Sequence, residues 1–104
     1  MITASFTSDN GRICGFRVSG HSGYSEAGSD IVCAAVSSMA FLVTNTLTEN
    51  FGVKAKVDSD EKTAALSVKI IDPTASSDAL LEGFLREMRT LASDFADYVR
   101  VEII

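Results

Sequence analysis

The sequence predicts a two-layer α+β domain of order ββαββαβ, with a mainly antiparallel sheet packed against two helices. Three observations predict it. Five short stretches alternate apolar and polar residues at strand period, two longer stretches repeat apolar residues at helical spacing, and turn-forming residues separate them. At 104 residues, with 46% hydrophobic content and one proline, the chain reads as one compact domain over 1–104. A chain of this length buries only about 60–65% of its unfolded surface, so pairing with a second copy is a natural supplement to its core.

The first strand is predicted from Ile2, Ala4 and Phe6, which alternate with Thr3, Ser5 and Thr7. Asn10-Gly11 then gives a hairpin signal, because both residues tolerate positive φ. Cys14, Phe16 and Val18 share one face of the second strand, which places Cys14 in phase with the core as a buried, inert thiol. A loop follows from Gly20 to Ser29. Asp30, or alternatively Ser29, is placed to cap a helix running from about Ile31 to Asn50. Its first half is apolar on nearly every side, so it reads as the central helix, covered on several sides and in part at a subunit contact.

Phe51-Gly52 ends that helix. Val53, Ala55 and Val57 alternate with Lys54, Lys56 and Asp58 in a third strand, and Ser59-Asp60-Glu61-Lys62 is a polar turn. Ala64, Leu66, Val68 and Ile70 form the inner face of a fourth strand, which Asp72-Pro73 stops. Ser76, Ser77 or Asp78 caps a second helix whose inner stripe is Leu80, Leu81, Phe84, Leu85, Met88, Leu91, Ala92 and Phe95. Val99, Val101 and Ile103 alternate with Arg100 and Glu102 in a closing strand.

Charge and cysteine content narrow the function. The net charge of −5 would repel nucleic acid phosphate, so direct nucleic-acid binding is not expected, whereas a basic polypeptide would be attracted. Two cysteines and no recognisable export signal point to a reducing cytoplasm and free thiols. The longest apolar run, Ile31 to Val43, is 13 residues, too short for a bilayer, so no membrane association is expected.

The chemistry concentrates in Gly20–Ser37, GHSGYSEAGSDIVCAAVS, which holds the only histidine, His21, and the cysteine Cys33. With Asp30 as N-cap, Cys33 falls in the first helical turn, beside backbone N–H groups that lack intrahelical partners and at the positive end of the dipole. A helix start contributes roughly 0.3–1 kcal/mol to a nearby anion. A tenfold gain in thiolate requires about 1.4 kcal/mol. The helix alone therefore leaves the thiol mostly protonated, and His21 is the residue able to act as its base, later returning the proton to a leaving amine. The N–H groups of Cys33 and Ala34 are candidates for holding an oxyanion. A mobile Gly20–Ser29 loop would then join His21 to Cys33 when a peptide binds.

Each residue also has a plainer reading. Cys33 serves as a small core residue at a helix start, and His21 as a strand-end or loop hydrogen-bonding group. Asp30 is either a cap or an acid that orients His21. Ser37, one turn after Cys33, either lines the site or bonds back to its own helix. Tyr24 packs or contacts substrate. A zinc site lacks ligands at any recognised spacing, and the glycines match neither a P-loop nor a dinucleotide fingerprint, so no metal or cofactor is expected.

The segment resembles the signature of the Prp family, the ribosomal-processing cysteine proteases: Gly20-His21, a glycine loop, then Gly28-Ser29-Asp30 and Ile31-Val32-Cys33-Ala34-Ala35-Val36-Ser37. Ser22 departs from the alanine common there. The resemblance implies a homodimeric cysteine endopeptidase with His21 as general base and acid and Cys33 as nucleophile. It would remove an N-terminal extension from the precursor of a basic large-subunit ribosomal protein, L twenty-seven. Asp30 and Ser37 match the motif with less defined roles. The reading from a different class is a non-catalytic ribosome-assembly or client-binding protein that uses the motif only for its fold.

Overall fold

The computed structural model describes residues 1–104. The elements run β1 (Ile2–Asp9), β2 (Arg12–Ser19), α1 (Ile31–Asn45), a π-helical turn (Thr46–Asn50), β3 (Ala55–Asp60), β4 (Ala65–Ile70), α2 (Ala75–Asp94) and β5 (Val99–Ile103). This is the predicted ββαββαβ order. The five-stranded sheet has spatial order β3-β4-β2-β1-β5, antiparallel at every pairing except β1 with β5.

The strand order follows from the connections. The β1–β2 hairpin closes on Asn10 and Gly11, with φ of 53° and 77°, the left-handed pair that such tight turns require. Helix α1 then carries the chain from β2 across β4 to β3, and α2 carries it from β4 across β2 and β1 to β5. Each crossover joins parallel strands. The crossovers leave antiparallel strands in opposite directions, so the usual right-handed sense puts both helices on one face.

That face is the core. Ile2, Ala4, Phe6, Phe16, Val18, Val68 and Ile70 of the sheet meet Val32, Val36, Ala40, Val43 and Leu47 from α1 and its π turn, and Leu81, Phe84 and Met88 from α2. Phe84 sits edge-on to both Phe6 and Phe16, with centroids 5.4 and 5.0 Å apart, a favourable aromatic arrangement. The helical segment Ile31–Asn50 is 20 residues long with mean hydropathy 1.7, long and apolar enough to cross a membrane by those measures. The π turn thus extends the apolar segment beyond the 13-residue run, yet its Val32–Leu47 stripe is packed on the sheet.

Several expectations need correction. Cys14 is not a core residue. The β1–β2 register slips between Thr7 and Ser8, pairing Thr7 with Gly15 but Ser8 with Ile13, so Cys14 is the extra residue of a bulge. Ile13 takes the inward position, and Cys14 turns to the outer face beside Ser5, Thr7 and Arg17. Helix α1 is not covered all round: Ile31, Phe41 and Leu42 are 58%, 58% and 67% exposed. Strand β3 starts at Ala55 and continues through Asp60, and Ala64 belongs to the following turn with φ 49°.

The α2 cap is Thr74, upstream of the predicted serines. Its hydroxyl accepts from the Ser77 N–H at 3.0 Å, and the Ser77 hydroxyl accepts from the Thr74 N–H at 2.8 Å. This reciprocal pair is a capping box built with serine at its third position.

Candidate active site

The site forms where β2 ends and α1 begins. Gly20 turns the chain out of the sheet with φ 91°, and a Cβ there would lie 2.5 Å from the Met1 carbonyl oxygen, so only glycine fits. The loop is held further along by Tyr24, whose ring sits edge-on to Phe95 and Tyr98 at 5.6 and 5.2 Å. Of the two readings of Tyr24, packing is the one the geometry displays. An open cleft of about 570 Å³ lies between loop and helix, lined by His21, Gly23, Ser25, Asp30, Cys33 and Ser37 among others. All four residues singled out from the sequence, His21, Asp30, Cys33 and Ser37, therefore face one cleft.

Asp30 is the N-cap. Its Oδ1 accepts from the Val32 and Cys33 N–H groups at 3.0 and 2.9 Å. Its Oδ2 accepts from the Ser22 hydroxyl and, at 3.4 Å, from the Ser25 N–H. These bonds, led by the Ser22 hydroxyl and then the Cys33 N–H, stabilise the charged form and lower the Asp30 pKa to about 2. None of them involves His21: Oδ1 caps the helix and Oδ2 holds the loop.

The oxyanion expectation changes with this. The Cys33 N–H is bound to Asp30 Oδ1, and the Ala34 N–H donates to the Asp30 carbonyl at 3.1 Å. A cap that satisfies the first turn leaves these two donors engaged. The N–H groups of Gly23, Ala27 and Gly28, which also line the cleft, have no acceptor within the protein.

Cys33 is half-buried and free of any disulfide. Its Sγ accepts a hydrogen bond from the Ser22 N–H at 3.4 Å. His21 is exposed, and only its carbonyl enters a hydrogen bond, from the Met1 ammonium. His21 lines the cleft, and its side chain makes no hydrogen bond to Cys33. Ser37 is exposed on the cleft wall and makes no side-chain hydrogen bond back to its helix.

Ser22 is the residue that sequence reasoning passed over. It is 3% exposed and touches both Asp30 and Cys33. The available signal was a hydroxyl followed two residues later by a backbone N–H in a glycine loop, the pattern of a serine turn. The Tyr24 N–H does bond to the Ser22 Oγ, at 3.1 Å.

Comparisons with known proteins identify the family to which this chain belongs. The family model described as Cysteine protease Prp covers residues 1–100. The chain belongs to the Prp family. A Bacillus subtilis ribosomal processing cysteine protease Prp is 30% identical over 94 residues, covering 86% of this chain and 84% of its own. The Mycoplasma pneumoniae Prp is 31% identical over 84 residues, covering 81% of each. The fold of a Staphylococcus aureus Prp solved with a covalently linked product peptide superposes with a TM-score of 0.94 at 22% identity, covering all of both chains. A Streptococcus mutans protein gives a TM-score of 0.87 at 28% identity, covering all of this chain and 94% of its own. As a Prp-family member the protein is a cysteine protease, and its open mixed sheet with two helices is the fold of the solved Prp structures.

Proposed function

We propose that the protein is a cytoplasmic endopeptidase that removes the N-terminal extension of the large-subunit ribosomal protein L twenty-seven, with Cys33 as nucleophile and His21 as its base. The observation that carries the reading is the shared cleft: His21 and Cys33 line it together, and the Cys33 sulfur already accepts an N–H from Ser22. Family membership and relatives described as ribosomal processing proteases support the substrate class. The net charge of −5 suits a basic client.

In the first half-reaction the Cys33 thiol gives its proton to His21, and the sulfur attacks the scissile carbonyl carbon. The oxyanion is held by loop N–H groups that carry no acceptor, those of Gly23, Ala27 or Gly28. The C–N bond then breaks as His21 returns the proton to the departing amine, leaving a thioester. In the second, water gives a proton to His21 and attacks the thioester carbonyl. The carboxyl product leaves, and the proton returns to the sulfur. The His21 ring has no hydrogen bond to Cys33 in the free protein, which supports a loop that completes the pair as peptide enters.

The exposed Ile31, Phe41 and Leu42 on α1 support a homodimer. Leu42→Asp is expected to sediment as a monomer if that face is the contact.

The function is tested by incubating the protein with a precursor carrying its N-terminal extension and reading the product masses. Cleavage at one bond by the wild type and none by Cys33→Ala is the expected result. An uncleaved precursor, or cleavage by Cys33→Ala at the wild-type rate, overturns the proposal.

A further inference from the structure

We infer that Ser22 is a positioning residue for the Cys33 thiol, its hydroxyl tying the loop that carries His21 to the cap of the helix that carries Cys33. The inference rests on the reading of Cys33 as nucleophile and goes beyond it.

Five hydrogen bonds carry the argument. The Ser22 hydroxyl donates to Asp30 Oδ2 and accepts from the Tyr24 N–H at 3.1 Å. Its backbone N–H donates to Cys33 Sγ at 3.4 Å. The other oxygen of Asp30 holds the Val32 and Cys33 N–H groups. One carboxylate thus fixes the start of α1 through Oδ1 and the loop through Oδ2, and Ser22 is the side chain that joins the two. The residue is buried, so its hydroxyl has no water to replace either partner.

Removing the hydroxyl changes a defined set of bonds. Asp30 Oδ2 keeps only the long Ser25 contact, and the Tyr24 N–H loses its acceptor. The segment between Gly20 and Tyr24 is then anchored at its ends but not at its middle, where the N–H to sulfur is made. That bond is short-ranged, so a small drift of the loop weakens it. His21, one residue away, drifts with it. The titratable groups lining the cleft are His21, Asp30 and Cys33, so a loosened loop acts on the thiol through loss of the Ser22 N–H and through the placement of the imidazole.

The experiment compares wild type, Ser22→Ala and Ser22→Thr. Two readouts are taken: the pH profile of iodoacetamide alkylation at Cys33, located by mass spectrometry, and kcat and KM on the extended precursor. For Ser22→Ala the alkylation rate of Cys33 at neutral pH is expected to fall by about threefold. The kcat is expected to fall by a similar or larger factor with KM little changed. Ser22→Thr, which keeps the hydroxyl, is expected to restore the wild-type profile. An alkylation profile unchanged in Ser22→Ala overturns the inference, including the case in which only its melting temperature falls. If the wild type does not cleave the precursor, the reading of the substrate fails while the alkylation profile still decides the role of Ser22.

Discussion

The two cysteines of this chain hold opposite hydrogen-bonding roles. Cys14 sits on the outer face of the sheet and its S–H donates to the Thr7 carbonyl at 3.6 Å. Cys33 sits at a capped helix start and its sulfur accepts from the Ser22 N–H at 3.4 Å. Two identical side chains, both partly accessible, thus meet opposite partners, a carbonyl acceptor at Cys14 and an amide donor at Cys33. The difference lies in which backbone group the fold aims at each.

Breaking the reactive side of this comparison gives the largest effect. Cys33→Ala is expected to reduce precursor cleavage by at least about a thousandfold with an unchanged melting temperature, whereas Cys14→Ala leaves the rate as it is. Equal losses in both variants, measured by product mass spectrometry, would dissolve the contrast. His21→Ala comes next, with kcat expected to fall by roughly 10²–10⁴-fold. A loss confined to KM would place His21 in binding and not in proton transfer.

The cap beneath Cys33 predicts a pH dependence. The hydrogen bonds that lower the Asp30 pKa to about 2 stabilise the folded state while the carboxylate is charged. That contribution is complete above the ordinary carboxylate value near 3.8 and is lost as pH falls through about 2. Asp30→Asn keeps an acceptor for the helix but does not titrate. Its melting temperature is expected to fall less steeply than the wild type's between pH 4 and 2; parallel curves would contradict the role of Asp30.

Smaller effects separate the two helix caps and complete the thiol comparison. Thr74→Ala breaks the self-contained capping box of α2 and is expected to cost about 1 kcal/mol of stability, read by urea denaturation, with kcat/KM unchanged. Cys14→Ala is expected to alter stability by no more than about 0.5 kcal/mol; a larger loss would mean that the bulge depends on its thiol.

Much of the fold was legible because its signals are local. The alternation in Ile2–Thr7, the Asn10-Gly11 turn and the helical stripe from Leu81 to Met88 each follow from the period that one element needs to bury one face. Where the reading failed, the cause was a choice between local options made elsewhere. Thr74 and Ser77 are both capable caps, and Thr74 won because Ser77 serves it from the third position of the box, with its side chain fully buried. The α1 N–H groups looked free from the sequence, and they are not, because the same Asp30 that starts the helix binds one of them with its side chain and another with its carbonyl.

By itself the sequence determined the order of the elements, a helix start at Ser29 or Asp30, and the presence of His21 and Cys33 on either side of a glycine loop. These follow from residue type and spacing within about a dozen neighbours. The tertiary structure alone decided that Cys14 leaves the core, since a bulge is a mismatch between two strands and neither strand encodes it alone. It also decided that Ser22 joins loop, cap and sulfur, because that contact spans eleven residues and exists only once β2 and α1 are packed. Periodicity reports which face a residue prefers; only the packed partners fix which atom it meets.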